Sequence, residues 1–162
     1  MRLSTMFPLA PAIALAGTLA ATEPATAEDA GARAAYQDIE KTLGLVPSFF
    51  RLFPEPGIAG AWASFKAVQL SPETALNGKM KELIGLAVAA QIPCQYCVYF
   101  HTAAAKANGA SEQEIREAVA MAAIVRHWST VLQGMQVDLA GFRQETDTVL
   151  RLAAERAKAP AR

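Results

Sequence analysis

Residues 82–101, ELIGLAVAAQIPCQYCVYFH, contain a long apolar run, one proline and the chain's two cysteines. Apolar side chains recur at spacings of three and four residues, as helices require. Because proline disfavours a helical conformation for the residue before it, the first helix is expected to end near Gln91 and the next to begin at or near Cys94. The stretch therefore predicts two helices that pack as an antiparallel hairpin, with the C-x-x-C pair at the start of the second helix.

Cys94, Cys97 and His101 are predicted to lie on one face of that second helix. At about 100° per residue, the three positions fall within an arc of about 60°. The free N–H groups and the helix dipole of a first turn stabilise an anion, so we expect a thiolate there to be favoured and the thiol pKa to be lowered. His101 lies one turn beyond Cys97, where an imidazole can exchange a proton with the thiol directly or through one water.

Glu82 is an acidic residue of the first helix, and apolar residues follow it. A buried carboxylate without a partner is costly, so this side chain is expected to have one. In an antiparallel hairpin, Glu82 and His101 differ in level by only about 3–5 Å along the helix axes. Gly85, near the same face, would let the facing helix come close. The sequence therefore predicts that Glu82 can reach the level of His101.

Paired cysteines with a nearby histidine occur in several kinds of site. A c-type haem requires histidine directly after the second cysteine, where this chain has Val98. Structural zinc needs four ligands, which the two cysteines, His101 and His127 would supply, but no second paired motif is present. A structural disulfide would close too short a loop to add much stability. The redox dithiol is therefore favoured, while the zinc and structural-disulfide alternatives stay open at this point.

The remainder of the chain also predicts helices. It contains no period-two alternation of any length, so the predicted class is all-α. Boundary signals include Gly44 as a stop, Ser71-Pro72 as a start, and a capping box formed by Ser111 and Glu114. The expected helices cover residues 29–43, 58–70, 71–91 and 94–108, a segment from 111 onward, 124–139, and 141–157. Three aromatic residues are expected in the core: Trp62, Phe65 and Trp128.

Composition and charge exclude one class of partner. The 162 residues are 52% hydrophobic, which is enough for one domain with a substantial core. Lys and Arg together number 15, as do Asp and Glu, and the formal net charge is zero. No basic run is present, so nucleic acid is not an expected partner.

The N-terminal residues have the layout of a secretory signal peptide. Arg2 precedes a short apolar run, and Ala25-Thr26-Ala27 supplies small residues for cleavage. The run is shorter than the ~20 residues needed to span a bilayer. We expect residues 1–27 to be a signal peptide and residues 28–162 to form a single domain. The mature protein would then be exported, periplasmic or secreted, with no stable membrane insertion, in a compartment where paired thiols tend to become disulfides.

The pattern formed by Glu82, Cys94-x-x-Cys97 and His101 resembles that of the AhpD-like alkylhydroperoxidase family, within the carboxymuconolactone decarboxylase superfamily. The surrounding residues, KMKELIGLAVAAQIPCQYCVYFHTAAAKANGASEQEIREAVAMAA, are similar to the core of that family, and LGLVPSFFRLFPEP is similar to its upstream connector. The resemblance covers about residues 36 to 140. It implies an all-helical, AhpD-like fold that assembles into homo-oligomers, a trimer or a hexamer, and a thiol peroxidase activity without a cofactor or a metal.

The resemblance also implies a role for each residue of the motif. Cys97 would attack a small hydroperoxide, Cys94 would resolve the sulfenic acid as a disulfide, and Glu82 with His101 would relay the proton. Electrons would come from a dithiol or protein donor. The archetypal member has a histidine where this chain has Tyr96, which favours a slower peroxidase or an exported thiol-disulfide oxidoreductase as the alternative. A separate alternative is a non-catalytic helical oligomer whose disulfide or zinc braces the hairpin.

Overall fold

A computed structural model describes residues 27–158, which form six α-helices and no β-strand. The helices are α1 (Ala27–Leu43), α2 (Glu55–Phe65), α3 (Gly78–Gln91), α4 (Gln95–Ala107), α5 (Glu112–Gly134) and α6 (Leu139–Lys158). The predicted all-α class is confirmed. Within these residues, no helix is both long enough and apolar enough to cross a bilayer. The predicted signal peptide lies outside the described residues except for Ala27, so its cleavage stays a prediction.

The structure divides into two compact units, one ending at Ala63 and the other beginning at Ser64. In the first unit, Ile39 and Ile58 are fully buried. Trp62 is buried as expected, and its indole Nε1 donates a hydrogen bond of 2.6 Å to Asp38. The single domain expected over residues 28–162 stays a prediction.

Gly44 ends α1 as predicted. Its φ of +83° is the left-handed conformation that glycine adopts readily, and its N–H donates to the Glu40 carbonyl at 2.8 Å. A 3₁₀ turn follows at Ser48–Leu52, where Phe50 is buried and packs edge-on against Trp62, with ring centroids 5.5 Å apart.

In the second unit, α3 and α4 form the predicted antiparallel hairpin. Gly78 at the start of α3 approaches Asn108 just after α4, and Gly85 further along α3 approaches His101. The Cys94 N–H closes the turn on the Ala89 carbonyl at 3.2 Å. The C-x-x-C pair therefore lies at the start of a helix in an antiparallel hairpin, as predicted.

An apolar cluster joins the hairpin to α5. Leu86, Ala105 and Ile115 come from α3, α4 and α5 respectively and are buried against one another. Three partly buried side chains pack on this cluster: Leu83, Val98 and Ala110. Because burial of aliphatic side chains is the main favourable term in folding, this contact holds α3, α4 and α5 together.

The predicted start of α3 at Ser71-Pro72 is wrong. The Ser71 hydroxyl accepts the N–H of Glu73 at 3.2 Å and so closes a local turn, which competes with helix capping. The helix begins at Gly78, where the Asn77 side chain accepts the N–H of Met80 at 2.9 Å. Asparagine is among the strongest N-cap residues, so its position decides the boundary.

Two other predicted boundaries also differ. The helix expected to continue to Leu70 changes at Phe65 into a π-helical turn over Lys66–Leu70. The helix expected to reach Leu139 ends at Gly134, and α6 begins at Leu139. In that connection the Asp138 side chain accepts the N–H of Gly141 at 2.6 Å, as an N-cap aspartate does.

The second half of α5 and all of α6 expose apolar side chains. Trp128 is 56% exposed, so its expected place in the core is wrong for a single chain, and Phe65 is only partly buried. α6 buries none of its residues. On α5 the exposed apolar residues at helical spacing are Met121, Ile124, Val125 and Trp128.

The capping box predicted at the start of α5 is present and is tied to the hairpin. The Ser111 hydroxyl accepts the Glu114 N–H at 3.1 Å, and the Glu114 carboxylate accepts the Ser111 N–H at 2.7 Å. The other carboxylate oxygen pairs with Lys79 of α3 at 2.7 Å. The hydrogen bond from Lys79, followed by those from Ser111, lowers the pKa of Glu114 to about 2.

We expect the variant Glu114→Gln to be less stable than the wild type at neutral pH. Since the folded-state pKa is depressed from 4.5, the carboxylate stabilises the fold fully above that pH and loses this effect as the pH falls through about 2. Urea unfolding of both proteins between pH 2 and 7 should show the difference shrinking toward acid. Glu145→Gln, an exposed position of α6, is the control. A difference independent of pH would contradict this account.

Candidate functional site

The two cysteines form a disulfide at the N-terminus of α4, with their Cα atoms 5.3 Å apart. Cys94 is the N-cap residue, and its sulfur accepts the N–H of Cys97 at 3.2 Å. Both cysteines are partly exposed, and the side chains of Tyr96 and Tyr99 beside them are each 79% exposed. The sulfur atoms therefore lie in the first turn of a helix, where the backbone favours an anion, at a position that a small molecule can approach.

Glu82 and His101 form a hydrogen bond across the hairpin. Oε2 of Glu82 lies 2.7 Å from Nδ1 of His101. The Glu82 side chain is 6% exposed and that of His101 is 20% exposed. A carboxylate that holds Nδ1–H of an imidazole fixes the tautomer in which Nε2 carries no proton. The ring can then accept a proton at Nε2.

Gly85 makes the close approach of the ring possible. A Cβ atom at this position would lie 2.9 Å from Cγ of His101 and closer still to Nδ1 and Cε1. Contacts of this length are repulsive, so any larger residue would displace the imidazole. The prediction that this glycine lets the facing helix come close agrees with the geometry.

Gln69 is a site residue that the sequence did not reveal. Its Nε2 donates a hydrogen bond of 3.2 Å to Oε1 of Glu82, the oxygen that His101 does not use. The residue lies in the π-helical turn, thirteen positions before Glu82. No spacing rule links a glutamine to a carboxylate across a turn, so only the folded chain brings the two together.

The four predicted site residues thus form two pairs on one hairpin. Cys94 and Cys97 are joined as a disulfide, and Glu82 and His101 are hydrogen bonded. Among the described residues, no hydrogen bond joins the His101 ring to either sulfur. His101 and Cys97 are one turn apart on α4, so their side chains are neighbours on one face of the helix. A thiol proton would cross the gap between them directly or through a bridging molecule.

The ligand set considered for zinc does not form a cluster. Residues 27–158 contain no group of three or more His, Cys, Asp or Glu side chains suited to a metal ion. His127 is exposed on α5, where its ring packs edge-on against Trp128 with centroids 5.3 Å apart.

Comparison with known proteins connects this arrangement to one family. The model of the carboxymuconolactone decarboxylase family matches residues 56–139. The crystal structure of the alkylhydroperoxidase AhpD core from Rhodospirillum rubrum ATCC 11170 is 30% identical to the chain, with a TM-score of 0.59. That match covers 68% of this chain and 83% of the other. A search among curated proteins found no significant match.

We expect Gly85→Ala to damage the site because the added methyl group would collide with the His101 ring. The free energy of unfolding should fall by about 1–3 kcal/mol, as overpacked interiors typically show. Urea unfolding measures this change, and the imidazole NMR signals of His101 report the loss of its contact with Glu82.

The matched control is Gly134→Ala, in α5, where an added Cβ meets nothing within 4 Å. Alanine is the better helix former, so this variant should be neutral or more stable by up to ~1 kcal/mol. Equal stability of the two variants would show that the close approach of Gly85 to His101 is unimportant.

Proposed function

The chain belongs to the carboxymuconolactone decarboxylase family as an AhpD-like member, and from this we propose that it is a thiol-dependent peroxidase. The family match supports peroxide-related oxidoreductase chemistry in general. The observation that carries the specific proposal is a C-x-x-C disulfide on the same hairpin as a buried Glu82 that is hydrogen bonded to His101. A redox-active sulfur pair and a proton acceptor are the two components that thiol peroxidase chemistry requires.

In the reduced protein, His101 acts first as a general base. Glu82 holds the proton on Nδ1, so Nε2 can accept the proton of the Cys97 thiol, directly or through one water. The first turn of α4 stabilises the thiolate that results. We assign the attack to Cys97 because that is the role which the resemblance to the family implies.

The thiolate then attacks one oxygen of a hydroperoxide. A sulfur–oxygen bond forms and the oxygen–oxygen bond breaks, so that sulfur is oxidised to a sulfenic acid and the peroxide is reduced. The leaving alkoxide takes a proton from His101, which completes an alcohol. Glu82 stabilises the imidazolium between these two steps because the carboxylate is 2.7 Å from the ring.

Cys94 resolves the sulfenic acid. Its sulfur attacks that of Cys97, a disulfide forms, and water leaves. The disulfide in the structure corresponds to the product of this step. A dithiol donor then reduces the disulfide by thiol exchange and is itself oxidised to a disulfide, which restores both thiols.

We propose that the electron donor is an exported dithiol or a protein with one, because the expected signal peptide would carry the chain out of the cytoplasm. The partial exposure of both cysteines supports access by such a donor. No metal or organic cofactor has a role in this cycle.

The reduced protein should consume an organic hydroperoxide, such as cumene hydroperoxide, with dithiothreitol as the donor. Cys97→Ser should abolish the reaction, whereas Cys94→Ser, mixed with peroxide after dithiothreitol has been removed, should form the sulfenic acid once and stop. His101→Ala should slow peroxide reduction by roughly 10²–10⁴-fold, the usual effect of losing an acid–base group.

His127→Ala is the matched control because it removes the chain's other histidine, which is exposed on α5. It should leave the rate unchanged. Unaltered activity in Cys97→Ser would remove the proposal. Faster reduction of insulin disulfides than of peroxide would instead identify a thiol-disulfide oxidoreductase.

We further propose that copies of the chain associate into a homo-oligomer. The support is the exposed stripe on α5 formed by Met121, Ile124, Val125 and Trp128, each more than half exposed. Contiguous apolar surface of this kind is typical of a protein–protein contact. The resemblance to the family favours a trimer or a hexamer.

Light scattering should therefore give several times the mass of one chain. Trp128→Glu should shift the protein toward monomer, because a charge buried in an apolar contact is costly. Arg126→Glu introduces the same side chain about 140° around the helix from Met121 and should leave the mass unchanged. A monomeric wild type would refute the association.

A further inference from the structure

Both oxygens of the buried Glu82 carboxylate are occupied. Oε2 is 2.7 Å from Nδ1 of His101, and Oε1 accepts from the amide of Gln69 at 3.2 Å. The residue is 5% exposed, so water cannot replace a missing partner freely. The carboxylate is thus held between an imidazole from α4 and an amide from the π-helical turn.

The π-helical turn that contains Gln69 is itself attached to α3. The carbonyl of Ser71, which caps the turn, accepts from Nζ of Lys81 at 2.7 Å. Lys81 is the residue directly before Glu82, so the turn is attached to α3 through two neighbouring residues. π-helical turns are rare and often occur at functional sites. Here the turn brings the Gln69 amide to the carboxylate.

An amide nitrogen can only donate, and this restricts where the proton of the Glu82–His101 pair can lie. A donor facing Oε1 forms its strongest hydrogen bond when the carboxyl group is ionised. The ionised form in turn requires that the proton between Glu82 and His101 be on Nδ1 of the ring. Nε2 of the neutral ring is then without a proton and can act as a base.

We propose that Gln69 is a positioning residue that keeps the shared proton on Nδ1 of His101 and thereby leaves Nε2 available to the Cys97 thiol. The proposal rests on the proposed function, since it assigns Gln69 to the same proton relay. Gln69 acts through Glu82 and His101 and is assigned no contact with the peroxide.

The two lysines of α3 that precede Glu82 are engaged elsewhere. Lys81 binds the Ser71 carbonyl, and Lys79 pairs with Glu114 of α5. In the described part of the chain, the only ion pair of Glu82 is with His101, and the only other hydrogen bond to its carboxylate is from Gln69. Gln69 is therefore the group expected to bias the proton.

The test is the tautomer of His101 in the full chain, measured by ¹⁵N NMR of the imidazole in wild type and in Gln69→Met. Methionine keeps a similar length and removes the donor. At a pH where the ring is neutral, the wild type should carry the proton on Nδ1. Gln69→Met should increase the fraction protonated at Nε2, and the signals of His127 should not change. The same tautomer ratio in both proteins would overturn the proposal.

Gln69→Glu supplies a second variant and a pH profile. A protonated carboxyl group can donate to Glu82, but an ionised one repels it. The rate of peroxide reduction in Gln69→Glu should approach that of the wild type at low pH and fall behind as the pH rises. Gln69→Met should be slower throughout, by about tenfold, the size known for residues that orient a metal-binding histidine. Parallel pH profiles in the two variants would indicate a purely structural role and reject the proposal.

The NMR experiment needs no turnover, so it separates this inference from the proposed function. A tautomer change in a chain without peroxidase activity would support the positioning role of Gln69 and refute the proposed peroxidase activity. If the protein is an active peroxidase but the His101 tautomer is the same in wild type and Gln69→Met, the peroxidase activity is supported and the role of Gln69 is refuted. If Gln69→Met fails to fold, Gln69→Glu at high pH also lacks the donor and gives the same NMR readout.

Discussion

The hydrogen bond between the buried carboxylate of Glu82 and the His101 imidazole is the interaction on which the arrangement of this site depends. Removing a carboxylate from water costs several kcal/mol unless protein donors replace its hydration. His101 supplies one donor and Gln69 the other, from two different segments of the chain. The carboxylate thus links the π-helical turn and α4 through α3. Loss of either partner would leave a buried oxygen without its hydrogen bond.

The polar contact requires close packing of the hairpin. Gly85 leaves room for the imidazole, and Leu86, the next residue, belongs to the apolar cluster shared with α4 and α5. The salt bridge between Lys79 and Glu114 ties the start of α5 to α3 on the outside. Apolar burial thus fixes the distance between the helices, and hydrogen bonds fix which side chains meet at that distance.

Local sequence signals predicted much of the fold because they act within a few residues. Gly44 ends α1 and the Ser111–Glu114 capping box begins α5, as expected, since each satisfies backbone groups of its own turn. The start of α3 was misplaced because Ser71 has the chemistry of a cap but closes a turn, while Asn77 caps the helix. Trp128 was placed in the core because its spacing fits an apolar face, yet spacing does not say whether another element covers that face.

The sequence alone determined the helical class, the C-x-x-C pair at a helix start and the alignment of Glu82 with His101, because helical periodicity and one proline fix those positions. The tertiary structure alone decided that Gln69 holds the second oxygen of Glu82 and that a π-helical turn brings it there. Hydrogen bonds between segments depend on the path of the chain in space, which a local sequence pattern does not predict.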